Sequence, residues 1–161
     1  MTNNLSDFEL QNILRGNAPA HACLFDGALP YVIPVYLLYL DGSVYIIPIM
    51  SKHQKLCKKY GLEVCLSVND MPGEDEWNTV SIWGKCDEIK EDPYKQVILQ
   101  GFNKKYAGGN SLSGRMVAGW NGTVFQIKIK HKIGYTEKRA LPALKQPGPT
   151  GKAAAILAIR A

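Results

Sequence analysis

The chain has 161 residues, 46% hydrophobic and 20% charged, with a formal net charge of +5. Such a chain suits one globular domain with a real core rather than two domains. No stretch approaches the roughly 18 apolar residues of a membrane span, and Met1-Thr2-Asn3-Asn4 lacks the basic-then-apolar opening of a signal peptide, so the expectation is a cytoplasmic protein without membrane contact.

In chain order the first element is a helix. Ser6 with Glu9 three residues on forms a capping box, Leu5 and Leu10 take the staple positions, Ile13 and Leu14 continue the apolar stripe, and Gly16 stops the helix. Strands follow: Ala20 to Phe25, a hairpin signal at Asp26-Gly27, Tyr31 to Tyr39, a second hairpin signal at Asp41-Gly42, then Val44 to Ile49. Pro34 and Pro48 cannot donate to a ladder, so they mark bulges, strand ends or an edge. A second helix runs from Ser51, read as its cap, to Gly61. Glu63 to Val68 reads as a strand, Met71 to Glu76 as an acidic loop, and Trp77 to Ile89 as a long strand. Asp92-Pro93 opens a helix to about Tyr106, and Gly108 to Gly114 reads as a flexible loop. From Thr123 to Lys132 the pattern alternates, with Phe125, Ile127 and Ile129 on one face and Gln126, Lys128 and Lys130 on the other. Successive hairpins with helices as corner pieces predict a mostly β, α+β fold: a small antiparallel barrel with peripheral helices.

Cys23, Cys57, Cys65 and Cys86 fit no paired-cysteine zinc spacing, and the first, third and fourth fall in predicted strands, so all four read as free thiols in the core. His21, His53 and His131 form no ligand spacing with each other or with the cysteines, so no metal is expected. The basic excess suits anionic ligands or nucleic acid, but no zinc-finger, RNP-like or helix-turn-helix signature supports nucleic acid. Nor is there a nucleophile elbow, Walker loop or dinucleotide fingerprint. When the chain carries no reaction centre of its own, a cofactor often does.

The strongest candidate for holding one is the run Ser51-Lys52-His53-Gln54-Lys55 at a helix start. Free N–H groups, the positive end of the helix dipole and full lysine charges together receive a phosphate; the alternative is a solvated basic face.

Leu5 to Leu14, Pro30-Tyr31-Val32-Ile33-Pro34-Val35, Tyr45 to Leu56, Thr79-Val80-Ser81-Ile82-Trp83-Gly84-Lys85 and the closing Ile127 to Gly134 together resemble the FMN-binding split-barrel superfamily. That family includes pyridoxamine 5′-phosphate oxidase and, as the nearest type, the nitroimidazole-resistance proteins. The resemblance implies an antiparallel split β-barrel over residues 1–140, with 141–161 a Pro/Gly-rich C-terminal arm. It implies FMN as cofactor, held by Val32, Ile33, Pro34, Ile47, Pro48, Ile49, Ser51, Lys52, His53, Lys55 and Thr79. It also implies a homodimer with each site at the interface, and oxidation or reduction of a small molecule. The alternative on the same fold is a non-enzymatic module binding heme, a deazaflavin or another anionic cofactor. The nitroimidazole-resistance type carries an aromatic-His pair at the end of its third strand, where this chain has Ile46 and Ile47, and the catalytic residues are not named by the sequence.

Overall fold

A computed structural model describes residues 2–60, 63–107, 120 and 122–140. The elements are β1 (Thr2–Asn4), α1 (Asp7–Arg15), β2 (Ala20–Phe25), β3 (Pro30–Leu40), β4 (Ser43–Pro48), α2 (Ser51–Tyr60), β5 (Glu63–Gly73), β6 (Glu76–Glu88), α3 (Asp92–Tyr106) and β7 (Phe125–Lys138). All pairings are antiparallel, in the order β1-β7-β4-β3-β2-β5-β6, and β6 also pairs with β7. That last pairing closes six strands into a ring, with β1 added outside it. The expected split barrel is therefore the fold observed.

Local chemistry sets the element ends. Ser6 accepts from the Glu9 N–H and the Glu9 carboxylate accepts from the Ser6 N–H, so the predicted capping box is present. A Cβ on Gly134 would meet both Leu10 and Leu5, so the staple pair converges on the last strand. We expect Ser6→Ala to lower stability by about 1 kcal/mol, read as a lower urea midpoint at unchanged slope; an unchanged midpoint would show the cap to be dispensable. Asp41 and Gly42 both take positive φ, 49° and 76°, and join Leu40 to Ser43 in the two-residue turn that suits a twisted hairpin. At the β2–β3 turn, Asp26 Oδ1 accepts from the N–H groups of Ala28 and Leu29 at 2.8 Å each.

Four expectations need correction. Met71 to Glu76 is not a loop: β5 runs on to Gly73 and β6 starts at Glu76, because cross-strand pairing carries the polar residues as a two-sided ribbon. Ser51 is the first residue of α2, not a cap outside it. β7 extends to Lys138, well past Lys132, held by its long ladder with β6. β1 had no expected strand; three polar residues carry no alternation to read, and only β7 makes them a strand. Gly108 to Gly114 and the arm at 141–161 lie outside the described residues.

Two cores form. Inside the ring are Ala22, Leu24, Ile33, Val35, Val44, Ile46, Leu66, Val80, Ile82 and Ile127, plugged by Leu10 and Leu14 of α1 and Cys57 of α2. A second, smaller core lies outside the ring, where Ile98, Leu99 and Phe102 of α3 cover Leu38, Tyr45 and Ile47. All four cysteines are free. Cys57 and Cys86 are buried, and burial pushes each thiol up to about 12. Cys23 and Cys65 depart from the core reading: they are half-buried and sit opposite one another on the outer face of β2 and β5.

Candidate cofactor site

β3 changes neighbours at Val35. Residues 30–35 pair with β2, and residues 35–40 pair with β4, whose last residue, Pro48, lies opposite Val35. From Pro30 to Pro34, then, β3 has a partner on one side only. Pro34 pairs with His21 without a register shift, and a proline fits there only where its nitrogen faces the unpaired side. The unpaired side therefore exposes backbone, and Val32 on it is 66% exposed. The chain leaves β4 at Pro48 and turns through Ile49 and Met50 straight into α2.

At the start of α2, Ser51, Lys52 and Lys55 are exposed. The N–H groups of His53 and Gln54 both donate to the Met50 carbonyl, at 2.9 and 3.1 Å, leaving those of Ser51 and Lys52 uncommitted to it. His53 points the other way. It is buried on the side of α2 that carries Cys57, and its Nδ1 has no hydrogen-bond partner. Desolvation first, and Lys52 second, hold its pKa below the ordinary value, so the ring is neutral at neutral pH. The spacing of His53, Leu56, Cys57 and Tyr60 carried that signal: they fall at i, i+3, i+4 and i+7, one helix face. Gln54 on α2 accepts from the Thr123 N–H at 3.3 Å and ties the helix to the approach to β7.

The remaining expected residues divide by side chain. Ile33, Ile47 and Pro48 are buried and Ile49 half-buried, so these positions offer a ligand backbone more than side chain. Thr79 lies elsewhere. It is on β6, its Oγ1 donating to Asn69 Oδ1 at 3.2 Å. Three strand spacings, through β2 and β5, separate it from β3, about 14 Å. Val32 and Pro34 thus lie on the unpaired edge of β3, Ser51, Lys52 and Lys55 on the first turn of α2 just beyond Pro48, and Thr79 on β6.

Val32, Pro34 and Thr79 belong to one face of the sheet. The registers align Val32, Cys23, Cys65, Trp83 and His131 in one row across β3, β2, β5, β6 and β7. The next row is Pro34, His21, Ser67, Ser81 and Ile133, and the next holds Asn69, Thr79 and Tyr135. No Asp, Glu, Lys or Arg occurs in these rows. Trp83 and Tyr135 are 39% and 41% exposed there, with Trp83 against the His131 ring at 5.5 Å between centroids. Sequence reading missed this face because its residues lie on five strands and meet only in the sheet.

No protein-family model matches the chain and no curated sequence matches it. Solved structures do. A FAD-binding protein from Mesorhizobium loti superposes at TM-score 0.67 with 19% identity, over 86% of this chain and 99% of that one. A proposed pyridoxamine 5′-phosphate oxidase from Corynebacterium glutamicum gives 0.62 and 13%, over 87% and 96%. A proposed 5-nitroimidazole antibiotic resistance protein from Bacteroides thetaiotaomicron gives 0.64 and 16%, over 84% and 87%. The chain has the pyridoxamine 5′-phosphate oxidase-like split-barrel fold. Among the described residues no helix is long and apolar enough to cross a membrane.

Proposed function

We propose that this split-barrel protein is a homodimeric FMN-binding flavoprotein that oxidises or reduces a small molecule. The observation that carries the reading is the exposed Ser51-Lys52-Lys55 turn of α2, entered directly from Pro48 where the β3–β4 pairing ends. A phosphate at that turn meets free N–H groups and two ammonium groups, and a flat ring along Val32 and Pro34 meets backbone. The named likeness to a FAD-binding protein supports a flavin, and FMN is the form the resemblance implies. The flavin supplies two-electron chemistry that the side chains near this turn do not. The chain's part is to bind the phosphate, to present backbone to the ring, and to shelter it.

The three rows without Asp, Glu, Lys or Arg support the dimer. A two-fold axis sets the same patch against itself, so Thr79 of one copy can approach the β3 edge of the other, which it cannot reach in its own. Trp83 and Tyr135 give that face the aromatic content that interface cores favour.

The test is the purified full chain. The expected result is absorbance near ~370 and ~450 nm, FMN as the released compound on chromatography, and a mass by light scattering of twice the 17.8 kDa of one chain. A Soret band near ~400 nm would instead establish the heme alternative. A 17.8 kDa monomer holding stoichiometric flavin would end the shared-site reading.

Nitro reduction is expected to be weak even with FMN bound. Ile46 lies fully buried inside the ring and Ile47 fully buried under α3, and neither can hold or move a proton. Steady-state assays with a nitroimidazole, NADPH and added FMN should give less than about 1 s⁻¹, the low end of ordinary enzymes; faster turnover would show that no titratable group is needed at that strand end.

A further inference from the structure

Away from the α2 turn, a cavity of about 510 Å³ opens between the end of α1, β3 and α3, lined by Arg15, Asn17, Leu38, Tyr39, Leu40, Gly101, Lys104 and Lys105. Its position follows from the register. Beyond Val35, β3 no longer pairs with β2, so its edge on that side needs other partners. At Leu37, α3 supplies them: Tyr106 Oη accepts from the Leu37 N–H at 3.1 Å, and Lys105 Nζ donates to the Leu37 carbonyl at 2.7 Å and to that of Leu14 at 3.2 Å. The next residues, Leu38 to Leu40, border the cavity instead.

The chemistry of the wall is one-sided. Among the described residues three cations line it and no carboxylate does. Arg15 bonds Gln11 Oε1 at 3.3 Å and lies over the Tyr39 ring at 5.6 Å, and none of the ion pairs among the described residues uses Arg15, Lys104 or Lys105. Lys105 is half-buried, and desolvation lowers its pKa to about 8, which leaves it charged at neutral pH. Between the cations run Leu38, Tyr39 and Leu40, and Gly101 of α3 lies against Leu38. A Cβ at that position would stand 2.7 Å from Leu38 Cδ2. Pockets for small molecules have this size and this mix: apolar walls with a few placed polar groups.

We propose that this cavity binds a small organic anion, a carboxylate on an apolar body. The carboxylate lies between Arg15 and Lys104, where charge-assisted hydrogen bonds are strong; Lys105, held on the Leu37 and Leu14 carbonyls, adds positive charge beside it, and the body lies along Leu38 to Leu40. The site is separate from the α2 turn and does not rest on the flavin reading. The competing role for these cations is to guard the unpaired β3 edge against other strands.

Octanoate titrated calorimetrically into the full chain at low salt decides between them. We expect saturable one-to-one binding with Kd of about 1 mM or tighter. Octan-1-ol, the neutral analogue, should bind at least tenfold more weakly. The double variant Arg15→Gln/Lys104→Gln, both exposed side chains, should raise Kd at least tenfold with an unchanged melting temperature, whereas Lys52→Ala/Lys55→Ala should leave Kd as it is. No saturation, equal binding of octan-1-ol, an unaffected Arg15→Gln/Lys104→Gln variant, or loss of binding in the Lys52→Ala/Lys55→Ala variant would each overturn the proposal.

Discussion

Gly84→Ala is expected to destabilise the protein by at least about 3 kcal/mol, a large share of the roughly 5–15 kcal/mol that holds a domain together. Gly84 sits where the β6–β7 register slips: Trp83 pairs with His131 but Gly84 with Ile129, so Lys130 is the extra residue of a bulge. The bulge presses the strands together. A Cβ on Gly84 would stand 2.2 Å from the Lys128 carbonyl oxygen, 2.9 Å from its carbonyl carbon and 3.0 Å from Ile127 Cγ2. Those atoms cannot yield as a side-chain tip would. Ile127 is fixed on its other side by pairing with Val44 of β4, so moving the β7 backbone strains two ladders at once. Gly73→Ala is the control, because its Cβ would meet only Asp75 Oδ1, a side-chain atom, at 3.3 Å; its cost should stay below about 1 kcal/mol. Urea unfolding of the two variants checks this, and a Gly84→Ala midpoint equal to that of Gly73→Ala would refute the close-approach account. The same contact gives a structural reason for the glycine of the Gly84-Lys85 motif.

The second large effect concerns the cofactor. Lys52→Ala/Lys55→Ala should weaken FMN binding at least tenfold, about 1.4 kcal/mol. Both side chains are exposed at the first turn of α2, so the variant should fold and melt as the wild type does. The loss should shrink as salt rises, since screening reduces what exposed charges contribute. His53→Ala should behave differently: the imidazole is buried beside the core, so its loss should show first in stability. Fluorescence titration with FMN, run with thermal melts, separates the two. Unchanged FMN affinity in the double lysine variant would remove the phosphate from the α2 turn.

Much of the fold was legible in the sequence where the signals are local. The Ser6–Glu9 box, the Asp41-Gly42 turn, the Asp92-Pro93 start and the alternation from Phe125 to Lys130 each depend on residues within one turn or one strand. They specify elements without reference to the rest of the chain. The cluster Ser51-Lys52-Lys55 at a helix start was legible for the same reason. What local signals could not carry is which face of an element meets what. Helix α2 rotates so that Cys57 plugs the ring, His53 is buried and the lysines face out, a choice made by the apolar end of the barrel. β1 exists only because β7 offers an edge, and the ribbon at Met71 to Glu76 only because β5 and β6 pair through it.

Capping, turn chemistry and hydrophobic period act over a few residues, so the chain's letters alone specify the order of helices and hairpins, the mostly β class and a basic first turn in α2. Packing in three dimensions sets that β6 closes on β7, that β3 exchanges β2 for β4 at Val35, and that Val32, Cys65, Trp83 and His131 share one row. It alone also gathered Arg15, Lys104 and Lys105 around one cavity. The physical reason is that these arrangements are set by pairing and packing between residues tens of positions apart, whose energies appear only when the chain has closed the loops between them.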